Sequence, residues 1–144
     1  MRTLDDVDLG GRRVFVRVDF NVPLDEARQI TDDTRIRAAL PTLRRLHDAG
    51  CSLVLAAHLG RPKTADPAFS LRPAADRLAE LTGWDVTLAP AVVGEAVEGL
   101  ARGLNTGDVL MLENVRFEPG ETKNDAVLAE GYARLAEAYV DDAF

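Results

Sequence analysis

The sequence predicts an α/β domain, a Rossmann-like three-layer α/β/α arrangement around a parallel sheet. Three observations predict it. Short apolar runs alternate along the chain with stretches of helical periodicity, which is the pattern of βαβ units. The run SLVLAA at 52–57 is apolar throughout, as a strand must be when helices cover both its faces. Gly50 and Gly83 close two of the helical stretches, as glycine commonly does after the last periodic residue of a helix.

The elements follow in order. The first strand is expected at Arg13–Val18 (RVFVRV), followed by a polar turn over 25–33. Ile36, Leu40, Leu43 and Leu46 then mark a helix that Gly50 stops. Pro41 falls inside that pattern, so it either kinks one helix or begins a second segment at a first-turn position. The second strand is 52–57, and a loop holding Pro62 and Pro67 runs over 58–70. A helix over 72–81, a strand over 86–89, a helix over 92–100 and a strand over 109–112 come next. Asn124 is placed to cap a helix whose apolar positions are Val127, Leu128, Tyr132, Leu135 and Ala136. A fifth strand begins over 138–140. No helix follows it to cover that edge of the sheet, and the expectation is a truncated domain.

The chain has 144 residues, which suits one domain, and 47% are hydrophobic, enough for a core. A net charge of −7 argues against nucleic acid or an anionic membrane as partner. No apolar run approaches the ~18 residues of a membrane span, and residues 1–6 (MRTLDD) contain no signal-peptide core. The single cysteine, Cys51, cannot form an internal disulfide, so a cytoplasmic location is expected. With His47 and His58 as the only histidines a zinc cluster is implausible, and no metal site is expected. No GxxxxGK[ST] loop and no GxGxxG after a strand occurs, so no nucleotide site is expected on this chain. Cys51 reads as a small core residue and Trp84 as a packing residue, while Glu26, Asp32 and Asp33 are expected to be solvated. Asp141 and Asp142 are adjacent on a strand, so they point to opposite faces and are expected to be structural.

In open α/β sheets ligands bind beyond the carboxyl ends of the strands. Asp19 and Asn21 follow the first strand, His58, Gly60 and Arg61 the second, and Glu113, Asn114 and Arg116 the fourth. Arg35 opens the helical segment after the first strand. Of the 17 basic residues only Lys63 and Lys123 are lysine, and the arginine excess carries meaning only at this rim. There, Arg35, Arg61, Arg116 and His58 would form a cationic basin for a small anion bearing phosphate or carboxylate, which guanidinium grips with a planar fork. Asp19 and Asn21 would accept hydrogen bonds from ligand hydroxyls, and Gly60 would allow close backbone approach.

Six motifs occur in order: RVDFNVP (17–23), TRIRA (34–38), HLGRP (58–62), LENVRF (112–117), ETKND (121–125) and YVDDAF (139–144). Together they resemble the N-terminal domain of the phosphoglycerate kinase family over nearly the whole chain from Val14 onward. The resemblance implies one half of a two-domain glycolytic kinase that moves a phosphoryl group reversibly between 1,3-bisphosphoglycerate and ADP, giving 3-phosphoglycerate and ATP. It implies that residues 1–144 form the 3-phosphoglycerate-binding domain, incomplete at its C-terminal end. Mg-ATP or Mg-ADP would sit on a C-terminal nucleotide domain absent from this chain, and no cofactor is expected here. It further implies a cytoplasmic monomer, hinge closure between the two domains, and no kinase turnover by this chain alone.

Carried over residue by residue, the resemblance makes Arg35 the catalytic residue, nearest the transferred group. Asp19 and Asn21, with Phe20 between them, would contact the glycerate end. His58, Leu59, Gly60, Arg61 and Arg116 would complete the substrate site, and Arg17 is a weaker member of the basic patch. Two departures stand out. The family pattern continues after the last strand into a Gly-Thr-Ala-His-Arg-like stretch that this chain lacks, and it often carries Asn where Asp141 stands. The competing readings are a stand-alone, non-catalytic α/β module that binds a small anion, and a nucleotide domain of another enzyme. The missing glycine-rich loop counts against the last.

Overall fold

A computed structural model describes residues 12–27, 29–59, 70–115, 131–136 and 138–142, the last span by its backbone. Five strands form one sheet in the order β3-β4-β2-β1-β5. They are β1 (Arg13–Val18), β2 (Ser52–Ala56), β3 (Val86–Leu88), β4 (Val109–Met111) and β5 (Ala138–Asp142). Every pairing is parallel. Among the described residues three helices, α1 (Thr34–Asp48), α2 (Arg72–Thr82) and α3 (Glu95–Arg102), follow β1, β2 and β3 in the expected alternation.

The strands divide the core into two layers because successive side chains point to opposite faces. Val14, Val16 and Val18 of β1, with Leu53 and Leu55 of β2, pack against Ile36, Leu43 and Leu46 of α1 and Leu78 of α2. Phe15, Val54, Ala56 and Leu110 pack on the other side against Val97 and Ala101 of α3 and against Leu135. All five residues of β2 are buried, which is why its sequence shows no polar alternation.

The expected bounds hold for β1, and those of β2, β3, β4 and α2 shift by one residue. Pro41 lies inside one continuous helix. Both Pro41 and Arg37, whose carbonyl loses its i+4 donor, are on the exposed face, where water can serve that carbonyl. Gly50, at φ 84°, ends α1 in a Schellman motif, with its own N–H donating to His47 O at 3.0 Å and Cys51 N–H to Leu46 O at 3.1 Å.

The expected helix over 92–100 starts late, at Glu95. Gly94 has φ 118° and ψ 175°, a conformation incompatible with a right-handed helix, and Val92 is instead a buried residue of the preceding bend. Residues 131–133 are helical, and the rest of the helix expected to begin at Asn124 lies outside the described residues. Cys51 is buried, as expected. Trp84 packs against the core and stacks on His47, ring centroids 4.2 Å apart and planes 8° from parallel. No helix among the described residues is long and apolar enough to cross a membrane.

Candidate functional site

The strand-like alternation of β1 continues past its last ladder residue. Phe20 and Val22 are buried at 0% and 4% exposure, while Asp19 and Asn21 between them are only partly covered. The turn is therefore held from below by two apolar side chains and leaves Asp19 and Asn21 at the rim. Phe20 can reach a ligand only through its backbone. Pro23 then ends the extended run, and its carbonyl accepts from Thr31 N–H at 3.0 Å. A bridge between Leu24 and Ile30, with Gln29 N–H donating to Asp25 Oδ1 at 2.9 Å, folds the connection back to the start of α1.

That return brings Arg35, in the first turn of α1, over the end of β1. Its Nη1 donates to Asn21 O at 2.9 Å and to Asp19 Oδ1 at 3.3 Å, and its side chain is 52% exposed. Among the described residues its Nε and Nη2 make no hydrogen bond, so the fork keeps donors for a ligand. An open cleft of about 510 Å³, lined by Asn21, Val22, Pro23, Asp32, Thr34 and Arg35, lies beside it. That is the size range of small-molecule sites. Asp32 accepts from the Thr34 hydroxyl at 2.5 Å and from Thr34 N–H at 2.9 Å. These two bonds, the hydroxyl first, hold its carboxyl below the ordinary value of 3.8.

Asp33 departs from the solvated role expected for it. Its side chain is 15% exposed and sits between two guanidinium groups, accepting from Arg37 Nε at 2.9 Å and from Arg77 Nη1 of α2 at 2.8 Å. The bond from Arg37, then that from Arg77, lowers its carboxyl pKa from the ordinary 3.8. Asp32 and Glu26 are exposed, as expected.

β2 lies next to β1, with Arg17 opposite Ala56, so the same register carried two residues further aligns Asp19 with His58. His58 is half-buried and Leu59 is buried, so Leu59 too offers a ligand only its backbone. The polar residues after β4 serve the scaffold. Asn114, fully buried, donates from Nδ2 to Leu59 O at 2.8 Å. Glu113 accepts from Ser70 Oγ and Leu71 N–H, both at 2.8 Å, and from Asn114 N–H at 2.9 Å. Together they brace the chain where it leaves β2 and where it enters α2. Their strand-end position is legible in the sequence, but their inward direction depends on which element lies beside β4. Arg17 is half-buried within β1. Gly60, Arg61 and Arg116, three members of the expected site, lie outside the described residues.

A parallel sheet covered on both faces, with an open cleft beyond the end of its inner strand β1, defines the class: an α/β domain whose candidate site lies at the strand ends. β2 and β5 flank β1 on opposite sides, so β1 lies inside the sheet and its end is bordered by neighbours on both sides. The chain belongs to the phosphoglycerate kinase family, whose family model matches residues 4–144.

It is 55% identical over 142 residues to the cytosolic phosphoglycerate kinase of Triticum aestivum, covering 99% of this chain and 35% of that protein. It is 54% identical over 144 residues to the phosphoglycerate kinase of Desulforudis audaxviator, covering 99% of this chain and 37% of that one. Among solved structures, phosphoglycerate kinase from Coxiella burnetii superposes with a TM-score of 0.82 at 30% identity, over 97% of this chain and 34% of that one. The crystal structure of the Pyrococcus horikoshii phosphoglycerate kinase superposes with a TM-score of 0.84 at 29% identity, over 99% and 36%. The chain therefore spans about a third of the length of the proteins it matches.

Proposed function

We propose that this chain is the phosphoglycerate-binding, N-terminal domain of a two-domain phosphoglycerate kinase. The observation that carries the reading is the junction of Arg35 with Asp19 and Asn21 over a cleft of about 510 Å³ at the end of β1. Family membership gives that junction its chemistry. In the proposed reaction, Asp19 and Asn21 orient the glycerate end, while His58, Arg61 and Arg116 hold the far anionic group. Arg35 faces the transferred phosphoryl group with the Nε and Nη2 donors left over from its bonds to Asp19 and Asn21. Phosphoryl transfer needs positioning and charge stabilisation more than covalent chemistry, so an already oriented guanidinium is the main contribution this half can make.

The nucleotide and its magnesium belong, in this reading, to a second domain. Among the described residues no three or more His, Cys, Asp or Glu converge as metal ligands. No step on this chain is routed through the metal. The proposal places the protein in the cytoplasm as a monomer, and the cytosolic relative from Triticum aestivum supports that location.

Amide NMR titration of the chain with 3-phosphoglycerate tests the reading. Shifts should cluster at Asp19, Asn21, Arg35 and His58. Arg35→Ala should weaken binding by about tenfold or more, the loss of a charge-assisted contact. Shifts elsewhere, or an affinity indifferent to Arg35, would refute the assignment. In a coupled ATP assay the chain alone should show no turnover.

A further inference from the structure

We propose that Arg77 of α2 is a positioning residue for this site, acting through Asp33 to fix the first turn of α1 and hence the direction of Arg35. The inference rests on the function proposed above. Its geometric basis begins with how α1 starts. Asp33 occupies the N-cap position but makes no capping bond with its side chain. The neighbouring Asp32 takes the Thr34 N–H instead, at 2.9 Å. Asp33 is thus free to spend both carboxylate oxygens on arginines, Oδ1 on Arg37 and Oδ2 on Arg77.

The two halves of that arrangement differ. Arg37 is one turn along the same helix and 60% exposed, so its bond stiffens α1 locally and says little about where α1 sits. Arg77 is 44 residues away on a different helix, is 31% exposed, and meets a carboxylate that is 15% exposed. A shielded, charge-assisted bond between elements is the kind that fixes their relative placement. Arg44 Nη2 also approaches Leu81 O, at 3.5 Å, but from the middle of α1. Arg77 therefore pins the end of α1 that carries Arg35, two residues from Asp33.

Ile36, fully buried in the core, anchors the inner side of that first turn, and the bond between Asp33 and Arg77 holds it from α2. An open cleft of about 210 Å³, lined in part by Gln29, Ile30, Arg72 and Glu80, flanks Arg77. A 1 Å drift of the first turn would be enough to spoil a phosphate contact, because positioned groups lose efficiency steeply with displacement. The lowered pKa of Asp33 agrees with a carboxylate that is ionised and held.

The test uses the 144-residue chain, 3-phosphoglycerate as probe, and Arg77→Met, which keeps most of the side-chain bulk and removes the charge. The first readout needs no ligand: the Arg35 Nε–Hε signal in 15N-edited NMR, with its heteronuclear NOE. Arg77→Met should move that signal toward the disordered-arginine position and lower its NOE, while amides of β2 stay put. The second readout is affinity, expected to fall on the order of threefold to tenfold, with Arg77→Lys recovering part of the loss. An unchanged Arg35 signal overturns the proposal, whatever the melting temperature does. So does a changed signal with unchanged 3-phosphoglycerate affinity. A chain that fails to bind 3-phosphoglycerate, yet whose Arg35 signal responds to Arg77→Met, would refute the function reading and leave the positioning link standing.

Discussion

Asp33 shows how much a single carboxylate can hide in a sequence. Within TDDTR it is one of two adjacent acids before a helix, and residue type alone marks both as solvated. Only the fold brings Arg77 to it, across 44 positions. The neighbours thus divide the work, Asp32 capping the helix and Asp33 linking two helices. Both carboxyls titrate below the ordinary 3.8 in the folded state. A depressed folded-state pKa means that the unfolded chain binds protons more readily, so the stabilisation is present above 3.8 and disappears as pH falls through the lowered values. Urea unfolding at a series of pH values from ~5 to ~2 should therefore show a steepening loss of stability, and Asp33→Asn should remove part of that slope. An identical pH profile in the variant would mean that the arginine bonds contribute nothing to folding.

At the level of elements, the strands were the most legible part, because their apolar runs record burial directly. Helix starts were less so. The apolar residues at 92 and 93 extend the periodicity of α3 backwards, yet Gly94 prevents the helix from using them. At φ 118° and ψ 175° the backbone there is one that residues with a Cβ adopt only under strain. Space is not the obstacle, since a Cβ at Gly94 would meet nothing within 4 Å. Gly94→Ala should thus cost about 1–3 kcal/mol through the backbone alone, read as a lower urea midpoint with an unchanged m-value. A neutral result would show that α3 can begin earlier at no cost, with Val92 leaving its buried place. The residues after β4 make the same point for the site: LENVRF announces polar groups at a strand end, but Glu113 and Asn114 turn inward to brace Leu59, Ser70 and Leu71.

Across the whole molecule, alternation of element types was enough to reach a parallel three-layer sheet, and the strand-end rule pointed to Asp19, Asn21 and Arg35, which the fold brings into contact. Strand order was not legible. The chain runs from β2 to the edge strand β3 before β4 fills the place between them, and it then crosses to the far side of β1 for β5. Nothing in local sequence encodes such choices, which depend on how connections pack over the faces. Their importance can be tested by ending the chain at residue 137. Without β5, one edge of β1 from Val14 to Val18 loses its ladder. Cooperative urea unfolding should then be lost, with dye binding to exposed apolar surface. A sharp transition near that of the full chain would show that β5 is dispensable.

The same arrangement gives synthesis a direction. β1 leaves the ribosome early, and its second partner, beginning at Ala138, follows only about 120 residues later. At cellular elongation rates the interval is on the order of ten seconds. Throughout it, a run of valine and phenylalanine presents an unpaired edge to every other nascent chain nearby, and holding that edge is work for a chaperone rather than for the fold.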